Sequence, residues 1–312
     1  MTHSDPSAAT MRVAVTGSSG LIGAALVERL RRDGHQVDRL VRRPPRAGDE
    51  VHWDPESRSV DAAALDGLDA VVHLAGENVA GRWTDEKKRA IRRSRIDSTR
   101  LLADALARRA HPPRVLVCAS AVGFYGNRRG AEVLHEGSGA GSDFLAGVVR
   151  EWEEASGPAT RAAIRVVNLR FGVVLSARGG ALARMLLPFR LGAGGRIGSG
   201  RQWMSWISLE DAVEVAVRAI TDDALRGPVN AVAGTVTNAD FTRALARALH
   251  RPAVIPVPPL ALKLVYGSEM VEGTLLASQR TEPRRLMEAG HHFHHPELTD
   301  AIRAALAKSQ ES

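Results

Sequence analysis

The sequence reads Val13-Ala14-Val15-Thr16-Gly17-Ser18-Ser19-Gly20-Leu21-Ile22-Gly23 near its start, and this stretch decides the fold. Small and β-branched residues precede three evenly spaced glycines, and apolar residues at helical spacing follow, which predicts a strand, a tight turn and a helix. Gly17 permits the turn, Gly20 lets a diphosphate approach the backbone, and Gly23 lets the helix pack on the strand. The stretch therefore predicts a phosphate-binding turn at a helix N-terminus, with a ligand-free glycine-rich turn as the alternative.

A second strand is predicted at residues 36–41, after a helix stop at Gly34. It ends in Arg42 and Arg43, at the position where a dinucleotide-binding fold faces the adenosine ribose. An acidic residue there binds a free 2′-hydroxyl, whereas arginine accommodates a 2′-phosphate. Because neither position is acidic, the sequence favours NADP over NAD. An exposed basic loop is the alternative interpretation.

Strands then alternate with helices along the chain. Strand patterns recur at residues 51–55, 69–76, 115–119, 163–169 and 228–233, and helical periodicity appears at 84–109, 143–156 and 208–220. This alternation predicts an α/β fold with a doubly wound, parallel Rossmann sheet of about seven strands. The predicted divisions are a disordered leader at 1–10, an NADP-binding domain at 11–175 with about 207–234, and a smaller, mostly helical C-terminal substrate lobe at 176–206 and 235–312.

The composition fits a soluble globular protein, with 44% hydrophobic and 25% charged residues among 312. The chain has no apolar run of membrane-spanning length, and residues 1–10 lack the apolar core of a signal peptide. The one cysteine, Cys118, excludes an internal disulfide and fits a reducing compartment. The net charge of +7 comes from dispersed arginines. We therefore expect a cytoplasmic monomer or homodimer with a small-molecule substrate and no nucleic-acid or membrane partner.

Several motifs together carry a family resemblance. Thr16-Gly-x-x-Gly-x-x-Gly23, His73-Leu-Ala-Gly76 and Ser120-x5-Gly126 resemble the extended short-chain dehydrogenase/reductase family of nucleotide-sugar epimerases and reductases. A fuller pattern is similar to its atypical "epimerase family" branch, which carries a C-terminal domain of unknown function. The motifs of that pattern are His73-Leu-Ala-Gly-Glu-Asn-Val79, Trp83-Thr84, Ser94-Arg95, Ser120-Ala-Val-Gly-Phe-Tyr-Gly126, Trp152-Glu153, Leu187-Pro-Phe-Arg190, Gly198-Ser-Gly200, Ser278-Gln-Arg280 and Gly290-x-x-Phe293-x-x-Pro296.

The resemblance implies a set of cofactor contacts. They are Gly17, Ser18, Ser19, Gly20, Leu21, Ile22 and Gly23 at the diphosphate, Arg42 and Arg43 at the 2′-phosphate, Leu74, Ala75 and Gly76 beside the adenine-side ribose, and Ser120, Val173 and Val174 toward the nicotinamide. Arg95 occupies a helix position where the wider family usually has an asparagine facing the cofactor. An inward guanidinium at that position would pair with a phosphate.

The sequence departs from the family at the catalytic positions. The family uses a Tyr-x-x-x-Lys pair, in which the lysine lowers the pKa of the tyrosine so that it acts as a general acid or base. Phe144 and Val148 stand at those positions, the usual serine falls on Ala121, and neither Phe144 nor Val148 can move a proton. The remaining acid/base candidates are Ser120 and Tyr125, together with Glu77, His73 and Glu136. Packing is the alternative for Tyr125 and His73.

Three functions remain open. The first is an NADP-dependent oxidoreductase or epimerase-like enzyme that has moved its acid/base and acts on a carbonyl or sugar-type substrate. The second is a protein that binds or senses NADPH without turnover, and the third is a reductase whose proton comes from water or the substrate. Arg201 and Trp203 lie in the segment that covers the substrate in the extended family, where they would hold a ring and an anionic group. Packing of the lobe under a loop is the alternative. The run His291-His292-Phe293-His294-His295 predicts no metal site, because it lacks acidic or cysteine partners.

Overall fold

The computed structural model describes residues 10–308, so the predicted leader, apart from Thr10, lies outside the described residues. The strands are β1 Arg12–Thr16, β2 Gln36–Val41, β3 Glu50–Asp54, β4 Ser59–Val60, β5 Ala70–His73, β6 Val115–Ala121, β7 Arg128–Leu134, β8 Arg165–Phe171, β9 Val173–Leu175, β10 Trp203–Ser208, β11 Gly227–Ala231, β12 Gly234–Thr237 and β13 Ser278–Thr281. The helices are α1 Leu21–Arg32, α2 Asp85–Ala107, α3 Phe144–Glu154, α4 Gly157–Arg161, α5 Gly180–Arg190, α6 Leu209–Thr221, α7 Asn238–Ala248, α8 Pro259–Tyr266, α9 Ser268–Met270, α10 Arg284–Glu288 and α11 Leu298–Ala307, with a π-helical turn at Val271–Leu275.

The main sheet has the strand order β11-β8-β6-β5-β1-β2-β3-β4. Its strands pair in parallel except for the short β4, which is antiparallel to β3. From β1, strands β2 and β3 are added on one side. The chain then crosses to β5 on the other side of β1, and β6, β8 and β11 follow in that direction. The doubly wound parallel sheet is therefore confirmed, and its direction reverses between β1 and β5, where α/β folds leave a ligand-binding crevice.

Apolar side chains on both faces of the central strands explain this arrangement. On β1, Val13 and Val15 pack toward α1 and α6, while Ala14 faces the opposite cluster with Leu102 and Leu106 of α2. Burying one such valine or leucine stabilises the fold by about 1.5–3 kcal/mol. Because both faces of these strands are buried, the accessible part of the sheet is the row of strand carboxyl ends, which we call its carboxyl edge. Among residues 10–308, no helix has both the length and the apolar character needed to cross a bilayer.

A smaller sheet with the order β12-β10-β9 lies against α5, α7 and α11. Its middle strand, β10, was not predicted. Alternate residues of this strand serve two surfaces, since Trp206 enters the apolar cluster around Phe241 while Ser205 faces β13. The Ser205 hydroxyl donates to the Gln279 carbonyl at 2.8 Å and accepts from Thr281. These bonds fasten the β13 segment to the small sheet.

Candidate functional site

The glycine turn leaves no room for side chains. Gly17 has φ +64°, and a β-carbon there would lie 2.8 Å from the carbonyl carbon of Leu74. A β-carbon at Gly23 would lie 2.2 Å from the Gly17 oxygen, so α1 packs directly on the turn. Gly20 caps α1 without a side-chain hydrogen bond. The first N–H groups of the helix therefore face the crevice unprotected by a capping side chain, as anion binding requires.

A buried hydrogen-bond chain fixes the backbone beside this turn. Thr16 Oγ1 accepts from the N–H groups of Leu74 at 3.1 Å and Ala75 at 3.2 Å, so its own proton goes to His73 Nδ1 at 2.7 Å. His73 Nε2 then donates to Ser98 Oγ at 3.1 Å. Burial lowers the pKa of His73 to about 4. The imidazole is thus held neutral as the Nε2–H tautomer, and the histidine positions backbone rather than shuttling protons.

The two arginines after β2 have different surroundings. The guanidinium of Arg43 binds the carboxylate of Glu50 through two hydrogen bonds of 2.7 and 2.6 Å. These bonds hold the pKa of Glu50 down at about 2. Arg42 is exposed and has no ion pair among the described residues. Arg42 is therefore available to a ligand, whereas Arg43 is anchored to the sheet.

Ser120 and Tyr125 belong to an internal polar network. Ser120 donates to Glu153 Oε1 at 2.6 Å, and the same carboxylate binds Arg170 through two bonds of 2.8 Å. Tyr125 accepts from Arg170 at 3.0 Å and donates to Asn230 Oδ1 at 2.7 Å. Both residues are buried, and burial raises the pKa of Tyr125. These contacts support the packing interpretation of Tyr125, because its hydroxyl is engaged inside the protein.

The two glutamate candidates differ in access. Glu136 is buried, and its Oε1 accepts from the backbone N–H groups of Asn230 and Arg285 at 3.0 and 3.3 Å. Glu77 follows Gly76 at the end of β5, and its carboxylate binds Lys87 Nζ at 2.5 Å. Its side chain is 42% exposed. Glu77 therefore differs from the buried candidates, because its carboxylate is partly exposed to solvent and is bound by a lysine.

The helix face that carries the Tyr-Lys pair in the family is apolar and covered. Phe144 packs edge-on against Trp83 with ring centroids 5.3 Å apart, and Lys88 Nζ lies 5.0 Å from its ring centroid. Val148 is buried in the same cluster, which Met270 of α9 joins. The C-terminal segment thus closes over these two positions. Val148 is buried and Phe144 is half-buried, and neither side chain can exchange a proton with a substrate.

Two further predicted cofactor residues, Arg95 and Val174, lie on α2 and β9. Arg95 of α2 reaches Gly76, where a β-carbon would lie 3.5 Å from the guanidinium carbon. Val174 pairs with Ile207 in the small sheet. Arg95 and Val174 stand on opposite sides of the main sheet's carboxyl edge, since α2 packs on one face and β9 continues from the other.

Arg280 is an additional neighbour of the predicted substrate residues. Arg201 is exposed, and Trp203 lies under the guanidinium of Arg280, whose Cζ is 4.7 Å from the indole centroid. The motif Ser278-Gln-Arg280 does not by itself indicate a role for Arg280. The parallel pairing of β13 with β7 and its bonds to Ser205 bring it to Trp203. The pair can stack on a planar group and bind an anion.

Comparison with known proteins agrees with this geometry. Residues 13–233 match the description "NAD dependent epimerase/dehydratase family", and residues 257–305 match a "Domain of unknown function". An epimerase family protein of Mycobacterium bovis is 47% identical over 292 residues, which cover 93% of this chain and 96% of that protein.

Two solved structures are also similar. The structure of a human epimerase family protein, SDR39U1, with NADPH has a TM-score of 0.86 and 36% identity, covering 95% of this chain and 99% of that one. A nucleoside-diphosphate sugar epimerase from Corynebacterium glutamicum has a TM-score of 0.78 and 39% identity, covering 97% of this chain and 61% of that one.

Proposed function

Because the chain belongs to the NAD dependent epimerase/dehydratase family, as an atypical short-chain dehydrogenase/reductase, we propose that it binds NADP(H) along the carboxyl edge of its main sheet. The observation that carries the proposal is the turn from Gly17 to Gly23, where backbone atoms occupy the space that a β-carbon would need at Gly17 and Gly23, and where α1 begins without a side-chain cap. The NADPH in the structure of the human relative supports it.

The arginines after β2 support the phosphorylated dinucleotide. Arg42 is exposed and unpaired among the described residues, and Arg43 is fixed by Glu50 at the end of the strand. A 2′-phosphate would give Arg42 charge-assisted hydrogen bonds, while the 2′-hydroxyl of NAD(H) would not. Arg43 and Arg46 in the same loop are basic as well, and the carboxylate of Glu50 is already bound by Arg43.

We further propose an oxidoreductase or epimerase-like reaction on a carbonyl or sugar-type substrate. Bound NADP(H) would supply or accept a hydride. Arg201 and Trp203 would hold the substrate, with Arg280 stacked on the tryptophan. Glu77, held by Lys87, is the side chain best placed to exchange a proton with solvent. Ser120 and Tyr125 would act at a distance by fixing Glu153 and Arg170 behind the nicotinamide end.

The second candidate function is NADPH binding or sensing without turnover. It is favoured by the covered face of α3, where Phe144 and Val148 pack under Met270. Under either function we place the protein in the cytoplasm, and its single cysteine supports a reducing compartment.

Three measurements test these proposals. Calorimetric titration of the purified chain with NADPH tests the cofactor, and the absence of binding would refute it. Loss of NADPH absorbance with a panel of aldehydes and ketones detects a reductase. Conversion of nucleotide sugars by the NADP-loaded protein, followed by NMR, detects an epimerase, because the hydride returns to the substrate and NADPH is not consumed. Turnover that falls in Glu77→Gln while NADPH affinity is unchanged supports the enzyme. Tight NADPH binding with neither NADPH oxidation nor sugar conversion across the panel supports the sensing protein.

A further inference from the structure

Arg95 differs from its neighbours on α2 because it points inward without a counterion. Its Cζ lies 5.1 Å from the ring centroid of Trp152, and a β-carbon at Gly76 would lie 3.5 Å from its other side. The neighbouring Arg92, by contrast, is exposed and paired with Glu151. The guanidinium of Arg95 is thus enclosed between an indole and a glycine backbone.

The hydrogen bonds of Arg95 are incomplete. Nη1 donates to the Ile91 carbonyl at 3.1 Å. The Nε and Nη2 groups have no protein partner among the described residues, and neither is fully shielded from solvent. The edge of the guanidinium formed by Nε and Nη2 therefore reaches solvent beside Gly76 with its donors unused. That edge matches the spacing of two oxygens on a carboxylate or phosphate.

The anionic side chain that acts on Arg95 is already engaged elsewhere. Burial lowers the pKa of Arg95 to about 10, so the group remains a cation at neutral pH while losing part of its hydration. The nearest opposing charge is Glu77, whose carboxylate is already bound to Lys87 at 2.5 Å. A partly desolvated charge is costly unless a partner compensates it. A bound anion would provide that compensation.

The position of Arg95 connects it with the missing catalytic lysine. Phe144, Val148 and Trp152 are four residues apart on α3 and form one stripe. Trp152 stands four residues, about 6 Å along the helix axis, beyond the position where the family resemblance expects lysine. Arg95 lies over this tryptophan, and Gly76 on its other side directly follows the backbone beside the glycine turn. A cation carried by α2 therefore lies close to the position at which the family has its lysine.

We propose that Arg95 is an oxyanion receptor, whose open edge binds two oxygens of a phosphate or carboxylate in the crevice. The inference rests on the proposed function in placing a dinucleotide there. The oxyanion has two possible sources, the cofactor's diphosphate or an acidic group on the substrate. In the second case the substrate class is an anionic carbonyl or sugar compound.

The test compares Arg95→Met with Arg93→Met. Methionine keeps much of the side-chain volume over Trp152 but removes the charge, and Arg93 is an exposed arginine on the same helix with no partner among the described residues. NADPH and NADH are titrated into each variant by calorimetry. Inorganic pyrophosphate and malonate are then titrated into the free and the NADPH-loaded protein. Lost charge-assisted hydrogen bonds predict an affinity loss of about 10- to 100-fold.

The titrations separate the two sources. If the diphosphate is the ligand, Arg95→Met weakens NADPH, NADH and pyrophosphate together. If the substrate supplies the anion, dinucleotide affinities are unchanged and the NADPH-loaded variant loses malonate binding. Affinities equal to those of Arg93→Met in every titration would overturn the proposal. If the unaltered protein binds neither dinucleotide, the proposed function fails, while the pyrophosphate and malonate titrations of the free protein still decide the role of Arg95.

Thermal unfolding shows whether the variant remains folded. Because the unliganded cation has no counterion, Arg95→Met without ligand should unfold at a temperature no lower than the unaltered protein. Added ligand should then stabilise the variant less. Arg95→Lys keeps the charge but not the bidentate geometry, so its oxyanion affinity should lie between those of the unaltered protein and Arg95→Met. Equal ligand-induced stabilisation of all three proteins would contradict the receptor role.

Discussion

Replacing Arg42 by alanine should convert the protein from one that prefers NADPH to one that treats both dinucleotides alike. Arg42 is exposed at the end of β2 and has no ion pair among the described residues, so its removal leaves no buried group unpaired. A hydrogen bond to a charged group contributes about 1.5–3 kcal/mol, which corresponds to a loss of about 10- to 100-fold in NADPH affinity. NADH, which lacks the 2′-phosphate, should keep its affinity.

Arg43→Ala supplies the contrast. Arg43 holds Glu50, whose side chain is 2% exposed, so this substitution leaves a carboxylate with only Arg39 at 3.1 Å and the Arg46 N–H group. We expect Arg43→Ala to lower the unfolding temperature, whereas Arg42→Ala should not. Calorimetric titrations with both dinucleotides, together with thermal unfolding, measure the two effects. Equal losses of NADPH and NADH affinity in Arg42→Ala would refute the assignment of the 2′-phosphate site.

Three further predictions concern the interior of the site. His73 has a folded-state pKa near 4, below its ordinary value of 6.5, so the unfolded chain binds more protons than the folded chain between these pH values. The free energy of unfolding should therefore fall as the pH drops from 6.5 toward 4. Urea unfolding of His73→Gln should show a flatter pH dependence. Val148→Lys should destabilise the fold by about 3–5 kcal/mol because it places a cation in an apolar cluster. Phe144→Tyr should be tolerated because Phe144 is half-buried, and denaturant midpoints measure both effects. Gly23→Ala should abolish NADPH binding, because its β-carbon would lie 2.2 Å from the Gly17 oxygen, and unchanged calorimetric affinity would contradict the proposed turn.

Residues 13–23 and the alternating strand and helix patterns were sufficient to predict the doubly wound sheet and its crevice. Local sequence carries this information because a positive φ at Gly17 and the apolar faces of β1 are properties of a few neighbouring residues. The same holds for Phe144 and Val148, whose chemistry excludes proton transfer wherever they lie. The family assignment follows from such motifs.

Only the tertiary structure decided which polar side chains face the crevice. The hydroxyl of Tyr125 meets Arg170 and Asn230, which are 45 and 105 residues away along the chain, and no local pattern encodes that meeting. Strand register likewise turns Ser120 toward Glu153. A side chain becomes available to a ligand only when its long-range partners leave it unpaired. The sequence therefore placed Arg95 on a helix, but the packing of Trp152 and Gly76 around its guanidinium determined which donors stay open.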